Sequence, residues 1–121
     1  MDLGKKFIVE VQGTSLSKTE IKQIKELQPA GFMLRKRNFL AEANYTTWFR
    51  EYKSLISKLQ SLIERPKMVL CIDHEGGQII RPPEPITRFP YPSSWGNSDS
   101  EVIRAIAAEL ESLGINLNFG P

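Results

Sequence analysis

The 121-residue chain carries one cysteine and one histidine. A single thiol, Cys71, cannot close an internal disulfide. It sits in an apolar run, where it reads as a buried small hydrophobe. His74 has no second histidine and no neighbouring cysteine, so neither a zinc site nor a catalytic triad is expected. Long hydrophobic runs are also missing. Nothing approaches the roughly 18 apolar residues of a transmembrane helix. Lys5 and Lys6 are followed by too few apolar residues before Gln12 to make a signal-peptide core. The expectation is a reduced, cytoplasmic protein with no membrane contact. Charge of one sign is scarce too: sixteen Lys and Arg face fourteen Asp and Glu, for a net charge of +2. The densest basic run, Arg35-Lys36-Arg37, has no interleaved aromatics, so nucleic acid is not an expected partner. Gly76-Gly77 lacks both a further spaced glycine and a Lys-Ser/Thr, which excludes a phosphate loop. No metal and no cofactor is implied.

What is present is an alternation of element types. Phe7-Ile8-Val9-Glu10-Val11 is a short β-rich run. Ser17 and Glu20 fit a capping box, and Ile21, Ile24 and Leu27 follow at helical spacing until Pro29. Gly31 to Leu34 reads as a second strand. Trp48, Tyr52, Leu55, Ile56, Leu59, Leu62 and Ile63 then form one apolar stripe of period near 3.6, ended by Pro66. Met68 to Ile72 is a continuous apolar run, the habit of a parallel strand buried on both faces. The segment carrying Pro82, Pro83, Pro85, Pro90 and Pro92 is too rich in proline for helix or central strand. Ser98 and Glu101 suggest a second capping box. Val102, Ile106, Leu110 and Leu113 form its apolar face, and Gly114 stands at the C-cap. Ile115 to Phe119 begins a fourth strand. The predicted order β-α-β-α-β-loop-α-β implies parallel pairing: a small open α/β sheet or half of a barrel. The length is about half of the roughly 250 residues that a closed (β/α)8 barrel needs.

In either architecture, chemistry collects at the carboxyl ends of the strands. Arg37-Asn38, Asp73 to Gly77, and Asn118 should therefore meet in space. Asp73 follows five apolar residues. A carboxylate at the edge of a low-dielectric core needs a cation, several N–H donors or ligand hydroxyls. Arg81 is positioned to return a cation. On the residues alone, two readings stay open: Asp73 binds a ligand, or it only caps the strand and pairs with Arg81. Asp73 and Glu75 are spaced for a carboxylate pair, but Glu75 beside two glycines reads rather as a loop stabiliser. His74 reads as a hydrogen-bonded structural histidine. Arg35 and Lys36 read as a solvated strand end, and Arg37 is open to either role.

Four ordered segments carry a family likeness. They are Pro29 to Phe39 (PAGFMLRKRNF), Ile72 to Arg81 (IDHEGGQIIR), Thr87 to Pro90 (TRFP) and Ala108 to Pro121 (AELESLGINLNFGP). Together they resemble the N-terminal part of glycoside hydrolase family 3, in its branch of bacterial β-N-acetylhexosaminidases. The resemblance implies a (β/α)8 barrel that hydrolyses terminal β-linked N-acetylglucosamine with retention, in the setting of cell-wall recycling. It implies that Asp73 and Arg81 bind sugar hydroxyls, and that Glu75, Gly76 and Gly77 shape the loop.

The expected fold is α/β, about four strands and three helices, the first half of a TIM barrel. Residues 1–121 would be the N-terminal portion of that domain, truncated after the fourth strand. The nucleophile, the acid/base and a Lys-His pair of the family map onto no residue of the chain. No catalytic residue is assigned, and the chain alone is expected to be inactive. Two local departures from the family are the proline-rich Pro82 to Pro85 and Gly120, which stands where alanine is usual. The rival expectation is an inactive α/β module that binds sugar or self-associates.

Overall fold

The computed structural model describes residues 2–120. Pro121, the last residue of the fourth motif, lies outside them. Four strands, β1 (Ile8–Val9), β2 (Gly31–Leu34), β3 (Val69–Ile72) and β4 (Leu117–Asn118), form one sheet in the order β1-β2-β3-β4. Every pairing is parallel. Three α-helices, α1 (Lys18–Leu27), α2 (Tyr45–Leu62) and α3 (Asp99–Ser112), connect them. The α/β class and the element order expected from the alternation therefore hold. The outer strands are shorter than the sequence runs that predict them.

α1 starts as its sequence predicts. Ser17 accepts from the Glu20 N–H and Glu20 reaches back to the Ser17 N–H, at 3.1 and 2.9 Å. Gln28 ends the helix in the left-handed region (φ 50°), and its side chain donates to the Leu62 carbonyl. α2 is capped by Asn44, which accepts from the Thr47 N–H. It stops at Leu62, before Pro66 is reached. The second capping box does not form. Ser98 has φ −96° and ψ 9° and makes no side-chain cap bond. A 3₁₀ turn over Gly96–Ser98 runs straight into α3, so the extended geometry that an N-cap hydroxyl needs is absent.

Strand alternation sends successive side chains to opposite faces. Phe32, Leu34, Leu70 and Ile72 lie on one face and are buried against Trp48, Tyr52, Leu55 and Leu59 of α2 and Ile106 and Leu110 of α3. Each such side chain contributes roughly 1.5–3 kcal/mol through burial. The polar tips of the core aromatics find carbonyls: Trp48 Nε1 donates to Glu84 at 2.8 Å, and the Tyr52 hydroxyl to Leu113 at 2.5 Å. The other face carries Ile8, Met33, Val69, Cys71 and Leu117; its centre, at Cys71, is wholly buried, and its margins are open. Ile8 and Leu117 are each 40% exposed.

Candidate functional site

The register places Leu34 beside Ile72, so the residues that follow, Arg35 and Asp73, leave the sheet side by side. Both belong to the face that α2 does not cover. From Asp73 the chain makes a tight hairpin. The Glu75 and Gly76 N–H groups donate to the Ile79 carbonyl, and Gly76 and Ile79 bridge in antiparallel fashion. The hairpin needs glycine at its tip. Gly76 and Gly77 have φ of 93° and 62°, and a Cβ would lie 2.4 Å from the Pro90 carbonyl oxygen and 2.3 Å from the Tyr91 ring, respectively.

The hairpin returns Arg81 to the start of the turn. Its Nε donates to Asp73 Oδ1 at 2.8 Å and its Nη2 to Oδ2 at 2.5 Å, a two-pronged grip. Both side chains are about four-fifths buried, 20% exposed for Asp73 and 19% for Arg81. The Arg81 hydrogen bonds hold the Asp73 carboxyl below its usual range, against the opposing effect of burial; Asp73 in turn raises Arg81. The site is thus an ionised carboxylate and a guanidinium locked together at a rim. Its chemistry is hydrogen bonding of polar hydroxyls, with acceptor and donor adjacent.

Other expected residues fall out differently. Arg35 is not a solvated strand end. Its Nε donates to Glu10 Oε1 at 2.9 Å and its Nη1 lies 3.5 Å from Asp73 Oδ2. Arg37 also pairs with Glu10 and donates to the Val11 carbonyl. Asn38 is fully buried and structural, donating to the Val11 and Gly13 carbonyls. Asn118 clamps the strand end: its Oδ1 accepts from the His74 N–H at 2.9 Å and its Nδ2 donates to the His74 carbonyl at 3.0 Å. Asn116 does the same lower on β3, accepting from Leu70 N–H and donating to the Met68 carbonyl.

His74 is wholly buried, and contrary to the expectation its ring is not hydrogen bonded. Both ring nitrogens lack a partner among the described residues, and the ring meets Phe89 edge-on at 6.5 Å. That phenylalanine belongs to the proline-rich segment between β3 and α3. Burial pushes its pKa down, so the imidazole stays neutral. Glu75 is half-buried in the hairpin. Gly120 proves consequential: a Cβ there would lie 2.6 Å from Glu75 Cγ and 2.8 Å from the His74 carbonyl oxygen. Sequence reasoning passed over Glu10. The available signal was a lone carboxylate ending one strand beside arginines that end the next.

No protein-family model matches the chain. Curated relatives do. The β-hexosaminidase of Haemophilus ducreyi is 30% identical over 124 residues, which cover 94% of this chain and 34% of the relative. That of Thioalkalivibrio sulfidiphilus is 29% identical over 132 residues, covering all of this chain and 35% of the relative. The chain thus spans about a third of the length of the curated relatives it matches. Among solved structures, a glycoside hydrolase family 3 β-N-acetylglucosaminidase from Paenibacillus aligns with a TM-score of 0.81 at 27% identity, covering 99% of this chain and 23% of that one. NagZ from Neisseria gonorrhoeae, in complex with N-trifluoroacetyl-D-glucosamine, aligns at 0.72 and 25% identity, covering 94% and 35%. The likeness to glycoside hydrolase family 3 read from the four motifs therefore holds in sequence and in fold.

Proposed function

We propose that the chain forms the sugar-holding part of a glycosidase site that acts on terminal β-linked N-acetylhexosaminides. Its four strands and three helices are then one portion of a (β/α)8 barrel domain, ending after the fourth strand. The observation that carries the reading is the two-pronged Arg81–Asp73 pair at the carboxyl end of β3, in a chain that matches β-hexosaminidases along nearly all of its length. Cell-wall fragments are a source of such sugars, and the cytoplasm a compartment for their use.

The geometry supports binding roles for both residues. Asp73 is held ionised by Arg81, so it accepts from a sugar hydroxyl and is a poor proton donor near neutral pH. Arg81 stays protonated and donates. Glu75, Gly76 and Gly77 keep the hairpin tight enough to return Arg81. His74 is 0% exposed, which removes it as an acid/base. Attack on the glycosidic carbon and proton transfer are assigned to no residue of the chain.

Isothermal titration with N-acetylglucosamine tests the reading. Binding should be measurable in the parent chain and weakened at least about tenfold in Asp73→Asn. Equal affinity in the variant would remove Asp73 from the site. A second reading, self-association, draws on the partly open sheet face, with Ile8, Leu117 and the 59% exposed Phe119 beside its edges. Light scattering over a dilution series decides it: a constant monomer mass ends that reading.

A further inference from the structure

Five charged side chains meet at the carboxyl ends of β1, β2 and β3: Arg81, Asp73, Arg35, Glu10 and Arg37. Their signs alternate along the line. Arg81 occupies both oxygens of Asp73. Arg35 approaches the same carboxylate from the neighbouring strand, with Nη1 3.5 Å from Oδ2. The far side of the Arg35 guanidinium is fixed, since Nε and Nη2 lie 2.9 and 2.8 Å from Glu10 Oε1. Glu10 is fixed in turn, because its second oxygen takes Arg37, whose Nε donates to the Val11 carbonyl at 3.1 Å. The Arg35 backbone is also held: its N–H donates to Asn38 Oδ1 at 2.8 Å.

A carboxylate and one bidentate guanidinium can swing together as a unit on their two stems. A second guanidinium, arriving from a different strand and anchored at its far end, takes that freedom away. An ionised carboxylate has about four acceptor positions. Arg81 uses two and Arg35 faces a third, so at most one is left for a ligand hydroxyl. We propose that Arg35, anchored by Glu10, is a positioning residue that aims the Asp73 carboxylate. The proposal rests on the sugar-binding reading of Asp73 only for its effect on affinity.

The charged and titratable groups facing Asp73 are few. Arg81 and Arg35 touch it, Glu10 stands behind Arg35, and Cys71 lies one step below on the same strand face. Glu75 follows in the hairpin, and His74, wholly buried, adjoins Asp73 in the chain. A purely electrostatic role for Arg35 and a positioning role therefore make opposite predictions for Glu10→Gln. Removing that negative charge leaves the cluster more positive, which keeps Asp73 ionised and favours its charge. It also frees Arg35 from its anchor.

The test uses the full chain, with ¹³C-carboxyl NMR titration of Asp73 and calorimetric titration with N-acetylglucosamine. In Arg35→Met the Asp73 pKa should rise, and affinity should fall about tenfold. Arg35→Lys should restore most of the pKa and only part of the affinity, since an ammonium replaces the charge but not the fork. Glu10→Gln should lower affinity several-fold without raising the Asp73 pKa. An unmoved Asp73 pKa in Arg35→Met, or unchanged or stronger binding in Glu10→Gln, overturns the proposal. With no sugar binding in any form of the chain the sugar reading falls, and the positioning role is judged by the Asp73 ¹³C-carboxyl chemical shift: a displaced signal in Glu10→Gln without a raised pKa supports it, and a signal identical to the parent's overturns it.

Discussion

The two faces of the sheet are built for different ends. Under the helices, Phe32, Leu34, Leu70 and Ile72 are buried among the side chains of α2 and α3. On the other face the same strands present Ile8, Met33 and Leu117, partly open, and end in a chain of ion pairs. One face stores free energy through close packing. The other holds charge at fixed positions, at the edge of a low-dielectric core where each ion pair is strengthened but each unpaired charge is costly. Stability and chemistry are thus segregated across a single layer of backbone.

If that division is right, substitutions should sort by face. The largest effect is expected for Leu59→Ala, which empties a wholly buried site under the sheet; urea denaturation should show a loss of about 2–5 kcal/mol. A loss below about 1 kcal/mol would mean that this face is less tightly packed than its burial indicates.

An intermediate effect concerns His74, whose buried ring nitrogens have no hydrogen-bond partner among the described residues. Its pKa is lowered in the folded chain, so between the unfolded value near 6.5 and the folded value the unfolded chain binds the extra proton. Stability should therefore fall as pH drops below about 6.5, by up to about 1.4 kcal/mol per pH unit until the folded pKa is reached. His74→Phe should flatten that limb in thermal melts taken between neutral and mildly acid pH. An unchanged slope would show that another group titrates there. Asp73 acts in a separate, more acidic window: its lowered pKa adds stability above the unfolded carboxyl value, and this is lost as pH falls through the folded one.

The smallest effect is expected on the open face. Leu117→Ser removes an apolar side chain that is 40% exposed, and the urea midpoint should shift by less than about 1 kcal/mol equivalent. A loss as large as that of Leu59→Ala would mean that something covers this face in solution.

Much of the architecture was legible because it is periodic. The stripe from Trp48 to Leu62 announced α2, the Ser17–Glu20 box announced the start of α1, and the apolar run before Asp73 announced a buried parallel strand. Local rules failed where geometry depends on what comes before. Ser98 carries the right side chain for an N-cap, but the preceding 3₁₀ turn leaves it in the wrong conformation. The site was legible only in part. Asp73 and Arg81 are eight residues apart and joined by a hairpin whose glycines are visible in the sequence, so their meeting was foreseeable. Glu10, Arg35 and Asp73 come from three strands, and nothing within any one segment shows that they touch. The same holds for His74, whose missing partners are a property of the surrounding packing.

The sequence by itself determined the order of strands and helices, the helix faces that pack, and the likeness to glycoside hydrolase family 3, because these follow from local periodicity and from motifs within single segments. The tertiary structure alone decided which charges stand together at the strand ends. Side-chain partners 25 to 38 residues apart are set by strand order and register, and these become definite only when the sheet is assembled.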